Sequence, residues 1–215
     1  LELTPAELSG LARRGSGSAA RSIFGGYVEM EAGDNEDGSD AVAHQIGDAD
    51  HWDLRCIVAE TAEGQKKIGS TEGMMHTERT SPYYDDWIAG VDADIETARE
   101  AIVGRDFEGL GRVAEASCLR MHASAMAADP GIVYWNGTTV DLMHRLRGAR
   151  QDEGLEVFFT IDAGPHIKAF CQPADEGEVV DLLSDFEGVL DVHETVPGGP
   201  ARLAGDHSSR GGATS

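Results

Sequence analysis

At 215 residues, 40% of them hydrophobic, the chain is long enough to bury a real core in one or two domains. Its formal charge of −22 argues against a surface built for nucleic acid or an anionic membrane. Cys56, Cys118 and Cys171 are far apart and form no CxxC pair, so neither a disulfide framework nor a zinc site is indicated. Without a run of about 18 apolar residues or a visible signal segment, a soluble cytoplasmic protein is expected. Only Lys66, Lys67 and Lys168 of the 17 basic residues are lysines. An acidic, lysine-poor chain with an ordinary apolar share reads as a folded protein adapted to high salt.

In chain order, Thr4-Pro5-Ala6-Glu7 opens a helix, with Thr4 as N-cap, Pro5 in the first turn and Glu7 completing a capping box. It runs to Arg13 or Arg14. The next stretch, Arg14-Gly15-Ser16-Gly17-Ser18-Ala19-Ala20-Arg21, combines glycines for close backbone approach with hydroxyls that suit an anionic oxygen. Ser18 is expected to cap a short helix from Ala19 to Phe24 that ends at Gly25-Gly26, and Arg21 lies one turn beyond Ser18. A guanidinium there suits a carboxylate or phosphate. A plain Gly/Ser turn between two helices fits the stretch equally well.

Tyr27–Met30 reads as a strand, residues 32–40 as an acidic loop, and Leu54–Ala59 as a second strand. Residues 63–73 read as a polar connection in which Lys66 and Lys67 set up a local positive field, or simply a solvated loop. From Ser81 to Gly104 the apolar residues Trp87, Ile88, Val91, Ile95, Ala98 and Ile102 predict one helix. A second spans Phe107–Met126 and a third about Thr139–Arg150. Leu155–Thr160 and His166–Cys171 read as strands around Asp162-Ala163-Gly164-Pro165. A helix over Val179–Phe186 and a strand over Val189–Val196 follow, and Ala204–Ser215 reads as a disordered tail. The order predicts an α+β fold with a mostly antiparallel sheet.

The chemistry is expected where polar groups meet good strands. Asp162 stands at a strand end beside a tight turn, as an Asx-type turn residue or as a catalytic carboxylate. His122 reads as a buried, satisfied histidine, Arg120 as a partner for an acid, and Met74 and Met75 as core or pocket packing.

Taken together, Arg14 to Glu29, Gly69-Ser70-Thr71-Glu72-Gly73-Met74, Thr80-Ser81-Pro82, Arg120-Met121-His122-Ala123 and Phe159-Thr160-Ile161-Asp162-Ala163-Gly164-Pro165 resemble the mevalonate diphosphate decarboxylase family of the GHMP kinase superfamily. The resemblance runs from about Leu1 to Leu203. It implies the end of a GHMP-type N-terminal domain over residues 1–75, then a ferredoxin-like C-terminal α/β sandwich over 76–203. It also implies an ATP- and Mg2+-dependent decarboxylation that gives an isopentenyl phosphate ester, carried out by a homodimer. By matching position, Asp162 would orient or deprotonate the 3-hydroxyl and Arg21 would hold the substrate carboxylate. Ser16 and Ser18 would grip the substrate and its phosphates. Ser70 would lie near substrate and ATP phosphates, supported by Lys66 or Lys67, with no metal-ligating side chain of the protein's own.

The family's ATP-phosphate loop and a substrate-binding lysine precede the matched region. The chain thus resembles the C-terminal two-thirds of the enzyme and is expected not to turn over ATP alone. A 5-monophosphate substrate, a sugar or mevalonate kinase, and a non-catalytic binding module are the rival readings. The salt reading has a direct check: the fold should melt at higher temperature in molar salt than in dilute buffer, and equal melting temperatures would contradict it.

Overall fold

The computed structural model describes residues 3–35, 37–38, 40–64 and 68–202. The chain divides into two compact units: one from residues up to His51 together with the segment from Gly198, the other Trp52–Pro197.

The first unit opens with α1 (Pro5–Ala12). Thr4 Oγ1 accepts from the Glu7 amide at 3.3 Å, and a Glu7 carboxylate oxygen accepts from the Thr4 amide at 2.8 Å, closing the expected capping box. Those bonds to Thr4 also lower the proton affinity of the Glu7 carboxyl. The next helix, α2, is Gly17–Arg21, shorter and earlier than expected. Ser16, not Ser18, is its N-cap, with its hydroxyl accepting from the Ala19 amide at 3.0 Å. The reason is that Ser16 holds the extended backbone a cap requires, while Ser18 is already helical.

Strand β1 (Tyr27–Met30) pairs antiparallel with β2 (Ala43–Gly47), a strand that the sequence reading misses. Buried Ser9 ties these pieces together. Its hydroxyl donates to the Ala20 carbonyl at 3.1 Å and accepts from the Ala43 amide at 3.3 Å, so one small side chain links α1, α2 and β2.

The second unit contains β3 (Arg55–Glu60), α3 (Ser70–Thr80), α4 (Tyr84–Ala89), α5 (Val91–Gly104), α6 (Phe107–Met126), α7 (Gly137–Gly148), β4 (Val157–Thr160), β5 (Ile167–Cys171), α8 (Glu176–Ser184) and β6 (Asp191–Thr195). The sheet order is β4-β5-β3-β6 with every pairing antiparallel. In chain order the sheet therefore reads second, third, first, fourth strand, with helices joining first to second and third to fourth. This is the ferredoxin-like split βαβ arrangement expected. The sequence reading places residues 52–75 with the N-terminal part, whereas Arg55–Glu60 is a central strand of this sheet.

Two further expectations need correcting. The helix predicted over Ser81–Gly104 is two helices separated at Gly90, where the α4 end turns on the Trp87 carbonyl. The connection predicted over residues 63–73 already enters α3 at Ser70, and its apolar signal is weak because Met75, expected as packing, is 51% exposed.

Alternation sorts the strands into two faces. Ile57, Ala59, Val157, Phe159, Ile161, Ile167 and Ala169 form the core with Leu142 and Leu146 of α7 and Val179 and Leu183 of α8. The other face carries Cys56, Val58, Phe158, Thr160, Lys168 and Phe170, with Phe158 and Phe170 stacked at 5.2 Å. Helix α6 approaches that face through Gly111: a Cβ there would lie 2.9 Å from Phe158, so only glycine admits the close contact. Inside the unit, Glu115 is buried and bonded by Arg147 at 3.3 Å and Arg150 at 2.7 Å, which satisfies a carboxylate that would otherwise be costly to bury. Among the described residues no helix is long and apolar enough to cross a membrane.

Burial pushes the Cys56 thiol up to about 11 and that of Cys171 up to about 12. A raised folded-state value means that from about pH 9 upward the unfolded chain loses thiol protons that the folded chain keeps, so stability falls as pH rises. The melting temperature should therefore drop between about pH 9 and 11, and less steeply in Cys171→Val. Parallel pH profiles for the two proteins would contradict this.

Candidate functional site

The expected site residues fall in both units. In the first, Ser18, Arg21, Ser22, Phe24, Gly198 and Gly199 line a recess of about 370 Å³. Arg21 Nη2 donates to Ser18 Oγ at 3.3 Å, so the two residues that the resemblance assigns to the substrate do stand together on one side of α2. This single bond leaves most of the guanidinium's fork of donors facing solvent, the state suited to receiving a planar anion. Ser16 uses its oxygen as cap acceptor and keeps its hydroxyl proton for a ligand. The recess is shaped by the main chain: the Gly26 amide donates to the Gly198 carbonyl at 2.8 Å, and Gln45 holds the Gly25 carbonyl at 2.6 Å.

In the second unit the chemistry gathers at the turn between β4 and β5. Gly164 has φ +76°, a left-handed conformation natural to glycine, which lets the chain reverse within a few residues of Asp162. Three side chains bond to carbonyls of this turn. His122 Nε2 lies 2.8 Å from the Asp162 carbonyl, Cys118 Sγ donates to the Ile161 carbonyl at 3.5 Å, and Thr139 Oγ1 donates to the Pro165 carbonyl at 2.8 Å. A carbonyl only accepts, so the His122 ring carries its proton on Nε2. His122 is 1% exposed and packed against Trp135 at 4.7 Å, the buried, satisfied histidine expected. The far side of the turn is held as well, since the Thr61 amide donates to His166 Nδ1 at 3.2 Å and Asn136 Nδ2 to the Thr61 carbonyl at 2.8 Å.

The backbone of the turn is thus fixed while the carboxylate is left outside. The Asp162 side chain is 74% exposed, and Lys168 Nζ sits 2.7 Å from its Oδ2. An ion pair this exposed adds little to stability. Asp162 also borders a largely apolar cavity of about 370 Å³ lined by Trp87, Ile95, Ser117 and Met121, beside which Arg120 pairs with Asp94 as expected of a partner for an acid.

The remaining expected residues take other places. Ser70 is the first residue of α3, exposed at its N-terminus. Lys66 and Lys67 lie outside the described residues. Ser81, part of a resemblance motif, bonds Ser124 of α6 at 3.2 Å and serves as a structural link. Sequence reasoning misses Thr139, Cys118 and Lys168. The last had a readable signal: a hairpin centred on Gly164 sets Thr160 opposite Lys168, on the same face as Asp162.

Comparison with known proteins follows the same division. Residues 56–208 match the mevalonate 5-diphosphate decarboxylase C-terminal domain, and residues 1–43 the diphosphomevalonate decarboxylase-like N-terminal domain. The chain is 36% identical over 191 residues to the diphosphomevalonate decarboxylase of Aspergillus fumigatus, covering 87% of this chain and 47% of that protein. Against the diphosphomevalonate decarboxylase of Saccharomyces cerevisiae it is 32% identical over 201 residues, covering 92% and 49%. Among solved structures, mevalonate diphosphate decarboxylase from Staphylococcus aureus superposes with TM-score 0.83 at 32% identity, covering 92% of this chain and 59% of that one. The structure of MDDEF in complex with MVAPP, AMPPCP and magnesium superposes with TM-score 0.83 at 34% identity, covering 93% and 60%. The chain spans about half the length of these curated relatives, less than the two-thirds that the resemblance implies.

The anchoring of the turn has a measurable cost. His122→Phe keeps an aromatic ring there but leaves the Asp162 carbonyl without its donor, so denaturant unfolding should show a loss of about 1–3 kcal/mol. An unchanged midpoint would contradict the assignment.

Proposed function

This chain belongs to the mevalonate 5-diphosphate decarboxylase family, and from that premise we propose that it is part of an enzyme that converts mevalonate 5-diphosphate, with ATP, into isopentenyl diphosphate, ADP, phosphate and CO2. The observation that carries the reading is Asp162: an exposed carboxylate on a turn whose main chain is bonded by His122, Cys118 and Thr139.

In the proposed reaction the Asp162 carboxylate accepts the proton of the substrate's tertiary 3-hydroxyl as its oxygen attacks the γ-phosphorus of ATP. The oxygen–phosphorus bond forms, and ADP leaves. The new phosphate then departs with its electron pair as the C1–C2 bond breaks and supplies electrons to the double bond, releasing CO2. Arg21 holds the C1 carboxylate until that step, a planar, bidentate task suited to a guanidinium. Ser16 and Ser18 bind phosphate oxygens of the substrate. Ser70, at the start of α3, is assigned to substrate and nucleotide phosphates, with Lys66 or Lys67 adding positive charge. Positioning and charge neutralisation supply most of the rate in such a scheme.

We assign the nucleotide-phosphate loop and the substrate lysine to sequence outside this chain, so the 215 residues alone are inactive in this reading. Among the described residues no group of three or more histidine, cysteine or acidic side chains is arranged to hold a metal ion. In the same reading the N-terminal domain ends before Trp52, the C-terminal domain begins with the segment that holds β3, and the enzyme is a cytoplasmic homodimer.

The test uses the full-length product of the native gene. Asp162→Asn should lower ATP-dependent CO2 release by about 10²–10⁴-fold while leaving melting temperature and substrate binding nearly unchanged. Arg21→Gln should weaken substrate binding as well as turnover. A fully active Asp162→Asn enzyme would overturn the reading.

A further inference from the structure

We propose that Lys168 is a positioning residue for Asp162: it occupies one carboxylate oxygen and thereby aims the other at the reacting hydroxyl. The proposal rests on the reading of Asp162 given above and goes beyond it, because the resemblance assigns Lys168 no role.

The placement is set by the hairpin. Lys168 is directly opposite Thr160 of β4 and Val58 of β3, so its stem rises from the non-core face of the sheet between two neighbours. Asp162 follows Thr160 by two residues and keeps to the same face, which puts it on the diagonal from Lys168. Lys168 Nζ meets Oδ2 at 2.7 Å, a charge-assisted bond, while Oδ1 has no bonded partner among the described residues.

A carboxylate at a turn can rotate about its side-chain bonds, and the bonds to the Ile161, Asp162 and Pro165 carbonyls fix only the main chain. The ammonium supplies the missing restraint. It is itself restrained, with its side chain only 27% exposed between strands, whereas the Asp162 side chain is 74% exposed. Stability does not explain the pair, since an ion pair so open to water contributes little. Rarity adds to the argument. Lysine occurs three times in a chain that uses arginine 14 times, and one of the three sits on the carboxylate assigned to catalysis. A compact ammonium contacts a single oxygen, whereas a forked guanidinium tends to engage both and would leave none for the substrate.

The experiment compares Lys168→Met, Lys168→Ala, Asp162→Asn and the Lys168→Met/Asp162→Asn double variant in the full-length native gene product, each first checked for an unchanged melting temperature. Lys168→Met should lower kcat about 10–100-fold with little change in KM for either substrate. Added ethylamine or propylamine should restore part of the activity of Lys168→Ala. In the double variant, loss of Lys168 should cost nothing beyond Asp162→Asn, since it acts only through that carboxylate.

Three outcomes would overturn the proposal: a raised KM with kcat retained, which makes Lys168 a phosphate-binding residue; unchanged kinetics; or losses that multiply in the double variant. An active Asp162→Asn enzyme would instead remove the reading beneath it, so the two failures are distinguishable. If Lys168→Met melts early, Lys168→Gln carries the same comparison.

Discussion

The second unit depends on one arrangement: side chains from two helices bond to carbonyl groups of the turn that joins β4 to β5. His122 and Cys118 reach it from α6 and Thr139 from the start of α7. Main-chain acceptors are satisfied from the buried side, and the turn's one carboxylate is left largely exposed. The alternative, a turn held through the Asp162 carboxylate in an Asx-type bond, would use up the group that the proposed chemistry requires. Holding the backbone instead of the side chain separates rigidity from reactivity, the condition under which a catalytic carboxylate keeps both its place and its lone pairs.

The same logic runs through the first unit on a smaller scale. Buried Ser9 holds the main chain at Ala20 and Ala43 without facing a ligand, while Ser16 caps α2 through its oxygen alone and keeps its hydroxyl proton. Ser18 and Arg21 stay at the surface of the recess with one bond between them. In both units small polar residues do the fixing, and the charged group is presented.

How far this was legible differs residue by residue. Asp162 was readable because five strand-forming residues end at a Gly-Pro turn, and the capping box at Thr4 because both its bonds are local. The helix α6 matches the expected Phe107–Met126 to its end residues, and in the structure Asp106 caps it by accepting from the Gly109 amide at 3.0 Å. Strand β2 was not, because His44 and Gln45 face solvent and it is stabilised by pairing with β1 rather than by its own composition. The cap at Ser16 was misplaced by two residues for a related reason: several serines could cap, and the backbone path chose. The partners of the turn were out of reach, since His122 and Thr139 stand 40 and 26 positions from the carbonyls they hold. Sequence spacing carries local bonds well and long-range ones only through strand register, which is how Lys168 becomes visible once the hairpin centre is known.

A crystal structure of the full-length native gene product with mevalonate 5-diphosphate bound tests the central claim most directly. The account predicts Asp162 Oδ1 within about 2.6–3.2 Å of the substrate's 3-hydroxyl oxygen, with the carbonyl bonds of the turn intact. An Asp162 carboxylate turned away from that hydroxyl, with no bridging water between them, would contradict it.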